Sequence, residues 1–72
     1  NVKVSYSIPA NYSNAEISVR NMVGKTVKTI PAKVGVKSVM NINTAELPNG
    51  VYFYSIIADG VTISTKKLVV RH

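Results

Sequence analysis

The fold is decided by residues 47–60, which read LPNGVYFYSIIADG. The Pro-Asn-Gly triplet at 48–50 predicts a chain reversal, because proline presets one turn angle and glycine permits another. Residues 51–58 are apolar on both faces of the expected strand, which indicates a central strand. Asp59-Gly60 is a strong hairpin signal, since a type I′ turn needs positive φ at both central residues. We therefore predict an antiparallel hairpin whose second strand begins at Val61.

Alternation of apolar and polar residues with a period of two continues through most of the chain and predicts further short strands. Gly24 marks the turn after the second strand, because a tight reversal often needs a positive φ. Residues 44–47 fit a single turn of helix, with Leu47 filling the end of the core. The last strand changes its alternation, so we predict a β-bulge near Thr65 or Lys66. The strands are predicted at 2–8, 15–20, 26–30, 36–44, 51–58 and from 61 onward.

These strands and turns predict the fold class. Short strands with turns at roughly ten-residue spacing indicate an all-β fold, an Ig-like antiparallel two-sheet β-sandwich of about six to seven short strands. A small open barrel is the alternative. Tyr52 fits the tyrosine corner of such sandwiches, in which the hydroxyl bonds back to upstream backbone. Residues 1–72 are predicted to form a single domain, and because the chain opens within a strand at Asn1, we expect a fragment of a longer protein.

Composition argues against most kinds of active site. Nine Lys and Arg against three Asp and Glu give a net charge of +6, but the cations are dispersed, so we predict no nucleic-acid function. Cysteine is absent and His72 is the single histidine, which disfavours a metal site and a Ser-His-Asp constellation. The acids Glu16, Glu46 and Asp59 lie far apart in the sequence. We expect a non-catalytic domain with no metal, cofactor or transmembrane segment.

The second face of the fifth strand has two interpretations. It carries Val51, Phe53 and Ile57, which either another sheet covers or a partner protein contacts. Cover by another sheet is the interpretation that we favour. Sugar binding would need an exposed aromatic platform, for which Tyr12 and Tyr54 are the candidates.

The end of the chain, residues 66–71, reads KKLVVR, a basic pair followed by apolar β-formers. Such a segment is either an edge strand guarded by lysines or an extended segment that a receptor binds by strand addition. An exposed edge also allows a homodimer through strand pairing or exchange.

In their order along the chain these features resemble one family, the type A C-terminal sorting domain of the type IX secretion system (Por secretion system) of diderm bacteria. The resemblance covers nearly the whole chain, with Ala15 to Arg20 matching the second strand. The motifs that carry it are Tyr6-Ser7-Ile8-Pro9, Asn21-Met22-Val23-Gly24-Lys25-Thr26-Val27, Leu47-Pro48-Asn49-Gly50-Val51-Tyr52-Phe53, Asp59-Gly60 and Lys66-Lys67-Leu68-Val69-Val70.

The resemblance implies a sorting signal that directs a cargo protein through the outer-membrane translocon to the cell surface. The implied partners are the type IX translocon, shuttle and sortase-like outer-membrane proteins. The implied route passes through the periplasm to the outer membrane, the cell surface or the medium, and cleavage upstream of the sandwich removes the domain. In the family the cargo is often a protease, glycosidase or adhesin.

Residue roles also follow from the resemblance. Partner recognition is expected at Lys66, Lys67, Leu68, Val69, Val70, Arg71 and Gly60. Structural roles in turns and packing are expected at Gly24, Leu47, Pro48, Gly50 and Tyr52. The alternative function is an accessory Ig-like adhesion or carbohydrate-binding module of an extracellular enzyme, because small sandwiches serve many such functions.

Overall fold

Residues 2–71 are described by a computed structural model, and they form six strands and no helix. The predictions that concern Asn1 and His72 lie outside these residues. The strands are β1 (Val2–Ser7), β2 (Ala15–Arg20), β3 (Thr26–Ala32), β4 (Lys37–Ile42), β5 (Gly50–Ala58) and β6 (Val61–Val70).

The strands form two antiparallel sheets, one of order β1-β4 and one of order β3-β2-β5-β6. The predicted two-sheet sandwich is confirmed, and the alternative of a small open barrel is wrong for the described part of the chain. The strand order matches part of an Ig sandwich: β1 and β4 take the places of strands B and E, while β2, β5 and β6 take those of C, F and G.

Tyr52 supports this correspondence. A tyrosine corner places its tyrosine near the start of strand F, with the hydroxyl bonded to backbone a few residues upstream. Tyr52 lies near the start of β5, is buried, and donates its hydroxyl hydrogen to the Pro48 carbonyl oxygen at 2.8 Å. This bond ties the 44–49 connection to the four-stranded sheet, so the prediction from the sequence is confirmed.

The core lies between the sheets as two adjoining clusters. One joins Val4 and Ile42 of the small sheet to Val19 and residues of β5 and β6 in the large sheet. The other contains residues of β1, β2, β4 and β5, together with Ile8 just after β1. Leu47 packs against the first cluster, as predicted. The single turn at 44–47 is present as a hydrogen bond from the Leu47 amide to the Thr44 carbonyl, although no helix forms.

Two turns follow the predicted backbone chemistry. Asp59 and Gly60 have φ of 49° and 80°, as a type I′ hairpin turn between β5 and β6 requires. Gly24, with φ of 87°, closes the turn between β2 and β3, where the Asn21 side-chain oxygen accepts hydrogen bonds from two backbone amides. Both reversals are determined by local sequence.

Asp59 has a second role that the sequence did not reveal. Its carboxylate accepts hydrogen bonds from the Ser13 and Asn14 amides, and its own amide donates to the Asn14 carbonyl. The β5–β6 turn therefore holds the β1–β2 loop in place. A carboxylate that accepts several backbone amides in this way makes charge-assisted bonds, which are stronger than neutral ones.

Three predicted details are wrong. The bulge lies at Ile63, because Ile56 pairs with Ser64 while Ile57 pairs with Thr62, and so it precedes the predicted position at Thr65 or Lys66. The third strand continues through Pro31 to Ala32, since an edge strand tolerates a proline. The fourth strand spans Lys37–Ile42 and is shorter at both ends than the predicted 36–44, and Val36 is exposed.

The expected cover over the second face of the fifth strand is also wrong. The small sheet packs on the face of β5 that carries Tyr52 and Ala58, and among residues 2–71 no third layer lies over the opposite face. Phe53 is 37% exposed there. A six-strand chain with two layers has only one interior, so the outer face of the large sheet remains at the surface.

Candidate recognition surface

The last strand, β6, is an edge of the large sheet. Within the described residues it pairs only with β5, so its outer side presents unpaired backbone amide and carbonyl groups along ten residues. Lys66 and Lys67 are exposed on this strand. Lysines on an edge strand oppose unspecific pairing with other strands, and they also give the edge a positive charge.

Alternation along β6 divides the predicted recognition residues between two faces. Leu68 and Val70 are each 4% exposed and pack in the core with Tyr52. Val69, between them, is 50% exposed on the outer face. The side chains of Leu68 and Val70 therefore belong to the folded interior, and the surface left for a partner consists of the lysines, Val69 and the exposed Arg71.

Gly60 does not lie near these residues. It occupies the hairpin turn before β6, whereas Arg71 follows the other end of the strand. A ten-residue strand spans about 33 Å, because each residue advances the chain by roughly 3.3 Å. Gly60 and the terminal residues therefore form no common site, although a partner that runs along the whole edge would touch both.

The residues expected to be structural lie close to one another. Gly50 and Tyr52 line a shallow depression with Asn49 and with Met22 and Val23 of the β2–β3 turn. Leu47 packs on the core and the Pro48 carbonyl receives the Tyr52 hydroxyl, while Gly24 shapes the turn opposite. The structure thus brings together two motifs that are some twenty-five residues apart in the sequence.

The outer face of the large sheet holds a cluster that we name the recognition face, and it extends beyond the predicted residues. One cross-strand row contains Arg20, Phe53 and Lys67, since Phe53 pairs with both of its neighbours. The adjacent row contains Val51 and Val69. Side chains directly opposite each other in such rows lie within contact distance. The recognition face consists of Arg20, Val51, Phe53, Lys67 and Val69.

A row of small hydroxyl side chains separates this face from the rest of the sheet. Ser18, Ser55 and Thr65 are aligned across three strands, and the Ser55 and Thr65 hydroxyl oxygens lie 2.9 Å apart in a hydrogen bond. Ser18 and Ser55 are buried. Ile57, on the far side of this row, is therefore separated from Phe53, and the apolar stripe expected from the sequence is interrupted.

Charge and exposure give the recognition face its character. Arg20 and Lys67 are positive residues on either side of Phe53, and the Arg20 Nε is buried with no hydrogen-bond acceptor among residues 2–71. Met22 and Val23, at the same end of the sheet, are 67% and 86% exposed. A flat, apolar and cationic surface of this kind suits contact with another protein better than enclosure of a small molecule.

Sequence reasoning missed Arg20 as part of the recognition face, and it did not place the exposed Met22 and Val23 next to Val51 of that face. Met22 and Val23 did carry a signal, because two large apolar residues inside a glycine turn have little reason to be there for folding alone. Arg20 carried none, since only the register of β2 with β5 places it beside Phe53.

Other kinds of site find little support in the described part of the chain. Residues 2–71 contain no group of three His, Cys, Asp or Glu side chains that could hold a metal ion. No helix there is long and apolar enough to span a bilayer. Tyr12 and Tyr54, the candidates for a sugar platform, are both half-buried and pack against the core.

One comparison with known proteins is informative. Neither a curated protein nor a solved structure matches the sequence. A family model described as a secretion system C-terminal sorting domain matches residues 1–71, nearly the whole chain. This match agrees with the resemblance seen in the sequence motifs, and it implies export to the cell surface or the medium through the type IX machinery. The chain belongs to the family of C-terminal sorting domains of the type IX secretion system.

Proposed function

We propose that the recognition face and the free edge of β6 are what the type IX machinery contacts. On this proposal the domain crosses the periplasm folded, binds the translocon and its shuttle and sortase-like proteins at the outer membrane, and is then removed by cleavage N-terminal to the sandwich. The domain contributes binding and no catalysis. Family membership supports the sorting role, and the surface supports the choice of residues.

The observation that carries the proposal is exposed apolar and cationic surface that folding does not require. Val69 is 50% exposed between two core residues, and Lys67 lies beside the exposed ring of Phe53. An isolated small domain has no need to keep valine and phenylalanine together in water, and such patches usually mark contact sites. Edge backbone groups would add main-chain hydrogen bonds to that contact.

The test uses a fluorescent reporter fused to the N-terminal side of the domain in a bacterium that has a type IX system. Lys67→Glu combined with Val69→Thr changes only exposed side chains. We expect surface display of the reporter to fall by about tenfold or more, because the proposed contact with the secretion machinery loses one favourable charge and one apolar group. The reporter should then accumulate in the periplasm.

The matched control is Lys37→Glu, which makes the same charge change on β4 in the other sheet. Display of this control should remain near that of the unchanged fusion. Equal display by the double variant and the control would contradict the proposed surface. Point variants are needed because deletion of residues 66–72 would also remove Leu68 and Val70 from the core, so that loss of display would report unfolding.

Cleavage is tested separately on the released reporter. Mass spectrometry of its C-terminus should place the cut N-terminal to Val2, since most of the chain within the sandwich lies in paired strands that a peptidase cannot easily enter. A cut between residues 2 and 71 would overturn this part of the proposal. A reporter that stays uncut at the surface would overturn removal without affecting recognition.

Self-association is the competing use of the β6 edge. Strand pairing or exchange between two copies needs the same unpaired backbone groups. The net charge of +6 on each copy opposes it, and the repulsion is stronger at low salt. Sedimentation velocity of the purified domain at low and high salt should show a monomer; a dimer at both would favour strand exchange.

A further inference from the structure

A second surface, separate from the recognition face, lies along one open side of the sandwich. A groove of about 280 Å³ runs between β1 and β6, with part of β5 as its floor. Its volume falls just below the range of cavities that enclose small organic ligands, which begins at roughly 300 Å³. Val4, Tyr6, Tyr54, Ile56, Ile63 and Lys66 are among its lining residues.

Both strands that border the groove are edge strands. Within residues 2–71, β1 pairs only with β4 and β6 pairs only with β5. Alternate residues of β1 therefore have backbone amide and carbonyl groups that no described strand receives. The free edge of β6 points away from β5 in the plane of the large sheet, so β6 borders the groove mainly with side chains. In a complete Ig constant-type sandwich strand A pairs with strand B, which corresponds to β1 here. The geometry at β1 thus accepts one more strand.

The floor of the groove is apolar and only partly covered. Tyr54 and Ile56 are half-buried and pack against the second core cluster. Ile63 is the extra residue of the β6 bulge, lines the groove and is exposed. An added strand with apolar side chains at every second position would cover these residues with one face, because successive side chains of a strand point to opposite sides.

The charge of the groove indicates which kind of strand binds there. Among residues 2–71, Lys66 is the one charged residue that lines the groove, and no Asp or Glu lies along it. A second copy of this chain would bring a further net charge of +6 toward Lys66, which disfavours it as the occupant. A strand that carries a carboxylate gains an ion pair at the same place.

We propose that the groove binds an extended acidic peptide segment of a partner protein by strand addition to β1. Apolar side chains of the peptide pack on Tyr54, Ile56 and Ile63, and its carboxylate pairs with Lys66. This inference goes beyond the export role, because Lys66 and Lys67 point to opposite sides of β6 and the recognition face does not include the groove.

The test is a fluorescence anisotropy titration of the purified 72-residue chain with labelled peptides of about eight residues, a common strand length. The first peptide alternates valine and threonine around two glutamates, the second has lysines in their place, and the third has a central proline that removes a strand donor. We expect saturable binding of the first alone. Equal binding of the proline peptide would overturn strand addition.

Two charge variants locate the site. Lys66→Glu should weaken binding of the glutamate peptide by about tenfold, because the ion pair is lost and a like charge replaces it. Lys25→Glu makes the same change in net charge at the exposed β2–β3 turn and should alter affinity by less than about twofold. If both variants lost the same affinity for the glutamate peptide, the effect would come from the overall positive charge of the domain, and the proposed site would be overturned.

Hydrogen exchange identifies the strand that receives the peptide. Amides of β1 should gain protection when the glutamate peptide binds, while those at the C-terminal end of β6 should not. Protection confined to β6 would overturn the assignment to β1. If the peptide instead dissociated a dimer of this chain, a second copy would be the occupant of the groove and the proposal would be overturned. The peptide titration does not depend on the export assay. A loss of surface display therefore leaves the groove proposal untouched, and the two proposals fail independently.

Discussion

The two faces of the β5–β6 hairpin differ in what they do, although they alternate residue by residue along the same two strands. The inner face places Tyr52, Leu68 and Val70 in the core, where they hold the two sheets together. The outer face places Phe53, Lys67 and Val69 at the surface. Residues one position apart therefore have different surroundings, and on the proposed function a substitution in the terminal motif tests either folding or recognition according to its face.

The largest expected difference between the faces is at neighbouring positions 68 and 69. Leu68→Ala removes buried methyl groups and should lower the free energy of unfolding by about 2–4 kcal/mol. Val69→Ala, on the outer face, should lower it by about 0.5 kcal/mol, mainly through reduced strand preference. Urea titrations monitored by circular dichroism measure both. Equal losses at the two positions would mean that the outer face is also packed.

The next largest effect concerns the tyrosine corner on the inner face. Tyr52→Phe removes the hydroxyl that donates to the Pro48 carbonyl and should cost about 1 kcal/mol of unfolding free energy. Tyr54→Phe is the matched control, because the half-buried Tyr54 packs against the same core. If the two variants unfold at the same urea concentration, the corner does not stabilise the sandwich.

A smaller effect is expected for Ser55, which belongs to the outer face but is buried. Ser55→Ala removes the hydrogen bond to Thr65 and should cost about 0.5–1 kcal/mol, since the exposed Thr65 hydroxyl can bond to water instead. Thr65→Ser keeps the hydroxyl and serves as the control. An increase in stability for Ser55→Ala would show that the hydroxyl row weakens the sheet and is retained for another reason.

The smallest effect on folding is expected for Lys67→Glu. Its side chain is exposed, so the free energy of unfolding should change by less than about 0.5 kcal/mol. The same substitution should increase the proportion of reporter left in the periplasm, because it reverses a charge on the recognition face. A variant that unfolds as readily as Leu68→Ala would remove the distinction between the faces.

Much of the fold was predictable because it follows local rules. Asp59-Gly60 predicted the β5–β6 hairpin, Gly24 predicted the turn before β3, and Tyr52 predicted the tyrosine corner. The position of the bulge was not predictable. The change in alternation lies between Ile63 and Leu68, and the residues between them are all polar, so the pattern shows that an extra residue exists without showing where.

The candidate surface was predictable only in part. The terminal motif gave Lys67 and Val69 as recognition candidates, but it gave Leu68 and Val70 equally, and the fold buries those two. Nothing in the sequence joined Arg20 to Phe53, because that row depends on the register of two strands more than thirty residues apart. The cover expected over Phe53 was wrong for the same reason, since sheet order decides which face is interior.

The all-β class, most strands and turns, and the family could be predicted from residues alone, because periodicity, turn residues and motifs act over short stretches of chain. Which face of each strand is buried, which edges stay unpaired and which distant residues share a surface became visible only in the folded molecule. Those outcomes depend on how six strands distribute between two sheets, and the interior of a two-layer sandwich can cover only one face of each.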